Sequence, residues 1–242
     1  SMQLHPGFAW GTSFALALAA VLLNLRSLMP APQPGPTFLS VYNWPEVPTL
    51  TPEQVAQYRM DGFIVLRQVI PPEVIDALTF CPGKVVLGPV KRLTSEQMLE
   101  AYKTSVLDAF TLIQTLLPKL QDSSIVLISS VAASMGLPNH CAISAAKSGL
   151  EGFALALAAD LAPKTRVNVV APTLTPTEMG LSMVGGEKMI PLIENRHPLK
   201  KIPAVNEVAN TISFLHSEAA SSITGQIIKV DAGLSEIRLN DR

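Results

Sequence analysis

Ile128–Lys147 reads ISSVAASMGLPNHCAISAAK, the passage from a strand end into a helix. Just before and into it, Ser124–Ser129 (SIVLIS) is a near-continuous apolar run, the pattern of a strand covered on both sheet faces. Residues 141–162 are rich in Ala and predict a helix that ends near Pro163. Ser130 therefore stands at a strand end, and Ile143 and Lys147 lie one helical turn apart. Taken by themselves, Lys147 reads as a solvated helix lysine and Ser130 as a strand-end hydroxyl. Further out, Arg166–Ala171 (RVNVVA) and Ile227–Val230 predict two more strands, and Val205–His216 an amphipathic helix. Upstream, Thr94 caps a long amphipathic helix running to about Leu117, with Met98, Tyr102, Phe110 and Ile113 at helical spacing. Helices alternating with strands predict a parallel sheet with crossover helices.

Bulk properties exclude several classes. The 242 residues carry a formal charge of −1 with no basic stripe, which argues against a nucleic-acid partner. Two cysteines, Cys81 and Cys141, are too few for a disulfide framework or a thiolate metal site.

The N-terminal part differs in character. Phe8–Leu25 (FAWGTSFALALAAVLLNL) carries no charge and is bounded by Arg26. At ~1.5 Å per residue it is just long enough to cross a bilayer core, so residues 8–25 are a candidate membrane anchor. A secretory signal is the rival reading, although only His5 precedes the run where a basic region is expected. Pro30–Pro36 (PAPQPGP) predicts an extended linker.

Residues 50–84 read as a small helix–strand–helix unit. Thr51, Pro52 and Gln54 form a capping box that opens a helix over Pro52–Met60. Phe63–Val69 (FIVLRQV) predicts a strand, and a second helix is expected over 72–80, with Val74, Ile75 and Leu78 on one face. LTPEQVAQYRMDGFIVLRQVIPPEVIDAL, Leu50–Leu78, resembles the N-terminal segment of the phytanoyl-CoA dioxygenase family. That resemblance implies an iron site of two histidines and a carboxylate, the first pair spaced H-x-D. Only His216, with Glu218 two residues on, approaches the spacing; it is read as a surface histidine, and no metal is expected.

From Gly88 to Ser235 the chain resembles the short-chain dehydrogenase/reductase family in four segments taken in order. They are GPVKRLTSEQMLEAYKTSVLDAF from Gly88, the Ile128–Lys147 stretch, RVNVVAPTLTPTEM from Arg166 and ITGQIIKVDAGLS from Ile223. The resemblance implies NAD or NADP as cofactor and hydride transfer between alcohols and ketones. Ser130 then stands where the family polarises the substrate carbonyl. Lys147 stands where the family tunes the catalytic Tyr and holds the nicotinamide ribose, and Thr177 where it contacts the nicotinamide amide. The family's Tyr position holds Ile143 and its Asn position holds Ser105. The family's glycine-rich T-G-x-x-x-G-x-G turn has no counterpart; the only adjacent glycines are Gly185-Gly186.

These readings combine into an α/β protein with an incomplete doubly wound, Rossmann-like parallel sheet lacking the usual N-terminal half. An apolar helix (1–28), a Pro-rich linker (29–49) and the small α/β unit (50–84) precede the dehydrogenase-like part (85–242). The expected function is NAD(P)-dependent alcohol/ketone oxidoreduction, lost or severely impaired. The alternatives are a non-catalytic protein pairing with intact family members as a homo- or hetero-oligomer, and a remnant of an iron-dependent oxygenase.

Overall fold

The computed structural model of the protein describes residues 75–81 and 85–239. The described residues all belong to the unit Leu66–Arg242. The candidate anchor 8–25, the helix Pro52–Met60 and the strand Phe63–Val69 lie outside the described residues.

Four parallel strands pair in the order of the sequence: β1 (Ile75–Phe80), β2 (Leu120–Ile128), β3 (Thr165–Pro172) and β4 (Ile227–Val230). Parallel neighbours need crossovers, and helices supply them. α1 (Ser95–Tyr102) and α2 (Asp108–Leu116) join β1 to β2, and α3 (Cys141–Leu161) joins β2 to β3. α4 (Glu178–Val184), α5 (Ile190–Glu194) and α6 (Val205–His216) lie between β3 and β4. The sheet is buried on both sides, which explains the unbroken apolar run of β2. Alternate residues serve opposite faces: Ile125 and Leu127 pack with Ile113 and Leu150, whereas Val126 and Ile128 pack with Ile212 and Leu215.

Three expectations are corrected. The helix read over 72–80 is strand β1 at Ile75–Phe80, in continuous register with β2 from Ala77–Ser124 to Phe80–Leu127, with a register shift before it that leaves Ile75 opposite Leu120. Val74, Ile75 and Leu78 do have helical spacing, but six residues beside an open strand edge gain more from ladder hydrogen bonds. The sheet thus begins ahead of residue 85. His216 is not a surface residue: its Nε2 meets Thr79 Oγ1 at 2.8 Å, and burial pushes its pKa down to about 4. Lys147 is not solvated either, being only 6 % exposed.

The long helix capped by Thr94 forms, with Thr94 and Gln97 making the reciprocal capping box, but a π-helical turn at Lys103–Leu107 interrupts it. The turn adds a residue to the local repeat and rotates the helix beyond it. Ile113 points into the core, while Tyr102 and Phe110, expected on the same stripe, are exposed.

Candidate active site

The site lies where β2 gives way to α3. Beyond Ile128 the chain stays extended at Ser130 (φ −160°, ψ 151°), whose Oγ accepts from the Ala132 N–H at 3.2 Å. That bond caps a short 3-10 turn at Val131–Ala133 and leaves the Ser130 proton free to be donated. The neighbouring Ser129 turns inward, and its Oγ donates to Glu151 Oε1 at 2.6 Å.

α3 presents Ala142, Ile143, Ala146, Lys147 and Leu150 as its buried face, a spacing of three and four residues. Ile143 and Lys147 therefore share a face one turn apart, as their spacing predicts. Lys147 Nζ donates to the carbonyl oxygen of Ile128 at 2.7 Å, two residues before Ser130. Burial pushes this amine down to about 8, while the Cys81 and Glu151 negative forms oppose the shift. Burial likewise pushes the Cys81 thiol up to about 11, with Lys147 working the other way.

The remaining expected positions are Ser105 and Thr177. Ser105 is 1 % exposed within the π turn, which packs on α3 near Gly149. A Cβ at Gly149 would lie 3.2 Å from the Tyr102 ring and 3.4 Å from Val106, so the close approach of the two helices uses the missing side chain. Thr177 caps α4, its Oγ1 accepting from the Gly180 N–H at 3.0 Å. Among the described residues no hydrogen bond joins Ser105 or Thr177 to Ser130 or Lys147.

Some participants escaped sequence reasoning. Glu151 sits four residues beyond Lys147 and so on the same helix face, a signal that was legible. Cys81, at the end of β1, was hidden by the helical reading of 72–80. His197 is almost fully buried and bridges Ile193 O at 2.9 Å and Thr173 Oγ1 at 3.2 Å. Because a carbonyl only accepts, Nδ1 carries the proton donated to Ile193 O. This pair ties the segment after β3 back onto the strand end, and nothing in the local sequence announced it. Among the described residues no group of three or more metal-ligating side chains converges.

A family profile described as enoyl-(acyl carrier protein) reductase matches residues 73–235. The chain belongs to the short-chain dehydrogenase/reductase family. An acetoacetyl-CoA reductase of Acinetobacter is 34 % identical over 164 residues, covering 66 % of this chain and 65 % of that protein. The enoyl-[acyl-carrier-protein] reductase [NADH] of Haemophilus influenzae is 31 % identical, covering 66 % of this chain and 63 % of that protein. A short-chain dehydrogenase/reductase structure from Brucella melitensis superimposes with a TM-score of 0.63 at 32 % identity, covering 66 % of this chain and 65 % of that one. In these comparisons the short-chain dehydrogenase-like part thus spans 63 to 65 % of its relatives' length. Family structures have been solved with NADPH or NADP, among them an actinorhodin polyketide ketoreductase with NADPH at TM-score 0.63 and 25 % identity, covering 68 % of this chain and 69 % of that one.

Proposed function

We propose that this short-chain dehydrogenase/reductase has lost, or retains only weakly, NAD(P)-dependent oxidoreduction of alcohols and ketones. The observation that carries this reading is Ile143, 4 % exposed on the face of α3 where the resemblance expects the proton-donating phenol. Of the chain's tyrosines, Tyr102 is 43 % exposed on α1, whereas Tyr42 and Tyr58 lie outside the described residues. The cofactor fits in part. Ser130, Lys147 and Thr177 suit the nicotinamide end, but Lys147 already donates to Ile128 O, and the sequence has no glycine-rich turn for the pyrophosphate.

The test is a titration with NADH and NADPH, in which binding is expected to be weaker than ~1 mM, about 4 kcal/mol. A micromolar isotherm would overturn the reading. Ile143→Tyr returns a general acid worth about 10²- to 10⁴-fold in rate, yet is expected to give no measurable carbonyl reduction alone. Combined with an intact glycine-rich half grafted ahead of Gly88, it is expected to turn over.

A second reading is supported by apolar exposure. Leu99, Tyr102, Leu107, Phe110 and Leu117 form an exposed row along α1, the π turn, α2 and the turn after it, with Leu155 exposed on α3. A row of this kind is suited to pairing with another family member. Co-purification with an intact dehydrogenase supports it, and a strictly monomeric chain that captures none opposes it.

A further inference from the structure

We infer that Ser130 and Lys147 form a carbonyl-capturing site, in which Lys147 binds an aldehyde or ketone covalently as an imine while Ser130 holds its oxygen. This rests on the reading that the strand-end site takes carbonyl compounds, and changes what becomes of them there.

The geometry supplies both groups at one strand end. Lys147 Nζ is anchored on Ile128 O at 2.7 Å, and Ser130 follows two residues later. A neutral amine that donates one N–H to a carbonyl keeps its lone pair, the part that attacks carbon. Ser130 Oγ is already an acceptor from Ala132 N, so its proton is free to polarise a carbonyl oxygen. On the buried face of α3 that carries the amine stand Ala142, Ile143 and Ala146, all apolar. Ile143, one turn before the amine on the same face, has no phenol to exchange a proton with it.

The titratable groups that act on it are Cys81 from the end of β1 and Glu151 from α3, the latter engaged by Ser129 Oγ. Burial brings the amine down from the ordinary 10.5 to about 8. At pH 8 this raises the neutral fraction from about 0.3 % to about one half, roughly 150-fold.

The step needs no oxidant or reductant. The nitrogen lone pair forms a C–N bond, and the carbonyl π pair moves to oxygen, which takes a proton to give a carbinolamine. Oxygen then leaves as water with a second proton, and the nitrogen lone pair forms the C=N bond. The balance is amine plus carbonyl giving imine plus water.

The experiment incubates the full chain at pH 8 with cyclohexanone and cyanoborohydride, which traps an imine as a secondary amine, and maps the mass gain by peptide. Lys147, although buried, is expected to react at least ~10-fold faster than the exposed Lys91 and Lys188, because more of it is neutral. Ser130→Ala is expected to slow Lys147 alone by about 100-fold, the lower end for loss of one polarising donor. Unmodified Lys147 beside labelled Lys91 and Lys188 would overturn the inference, as would a rate unchanged in Ser130→Ala. NADH and NADPH are absent throughout, so failure of capture leaves the lost-oxidoreduction reading untouched. Tight cofactor binding would, conversely, sink that reading without touching this one.

Discussion

Lys147 and Cys81 are buried groups whose ionisation the fold opposes, and this links them to stability. Lys147 titrates near 8 in the folded chain and at an ordinary 10.5 unfolded. Between those values only the unfolded chain holds the proton, so stability rises with pH, by at most about 1.4 kcal/mol per unit. Cys81 runs oppositely. Its thiol titrates near 11 folded and 9.0 unfolded, so between those values stability falls as pH rises. The two slopes offset each other from pH 9 to 10.5. Denaturant unfolding is therefore expected to show a gain from pH 8 to 9 that levels off above 9; Cys81→Ala lets the gain continue to 10.5. A curve flat from 8 to 9 would contradict the buried amine. His216 adds an acid limb: its folded value is about 4 against an ordinary 6.5, so stability falls as pH drops through that window. The sequence named Ser130, Ile143 and Lys147 because their spacing is local. It missed the burial of His216 because its hydrogen-bond partner, Thr79, is 137 residues away.

Elements were legible in proportion to their length and periodicity. β2, α3, β3, α6 and β4 emerged within a few residues of their ends, since each repeats its pattern or has a distinct apolar run. β1 did not, because IDALTF is too short for periodicity to choose, and its partner β2 lies some forty residues on. The exposed side of the helix after Thr94 escaped for a different reason: Leu99 and Tyr102 before the π turn and Phe110 after it are apolar at helical spacing, yet they lie on the open side of the helix. Glycines offer a test at this scale. A Cβ at Gly180 would lie 2.2 Å from the backbone oxygen of Thr175, which is held by the Thr177 N–H at 2.7 Å. At Gly149 the nearest atom belongs to the half-exposed Tyr102 ring, which can move. Gly180→Ala is thus expected to loosen the segment around α4, raising its amide exchange with a cost of about 2 kcal/mol or more, while Gly149→Ala changes stability by less than about 1 kcal/mol. Equal effects would show that the Thr175–Gly180 contact does not constrain the chain.

For the whole molecule, the uncharged run Phe8–Leu25 makes attachment to membranes the first property to measure. Removal of residues 1–36 is expected to turn a membrane-pelleting protein into one that stays in the supernatant, since ~20 apolar residues suffice to hold a chain in a bilayer. A full chain already in the supernatant without detergent would defeat the anchor reading. Among the described residues one helix, α3, is long and apolar enough to cross a membrane, but it carries Lys147 inward and packs Leu150, Ala154, Leu157 and Ala158 into a core shared with the sheet. The order β1-β2-β3-β4 has a consequence for how such a chain is made. A ribosome delivers the strands in the order in which they pair, so each new strand finds its neighbour already synthesised. No gap must be held open in the sheet's interior for a segment still in the tunnel. Assembly can advance as a zipper from β1 outward, and its last tooth, β4, is the four-residue strand whose absence would leave the first two pairings intact.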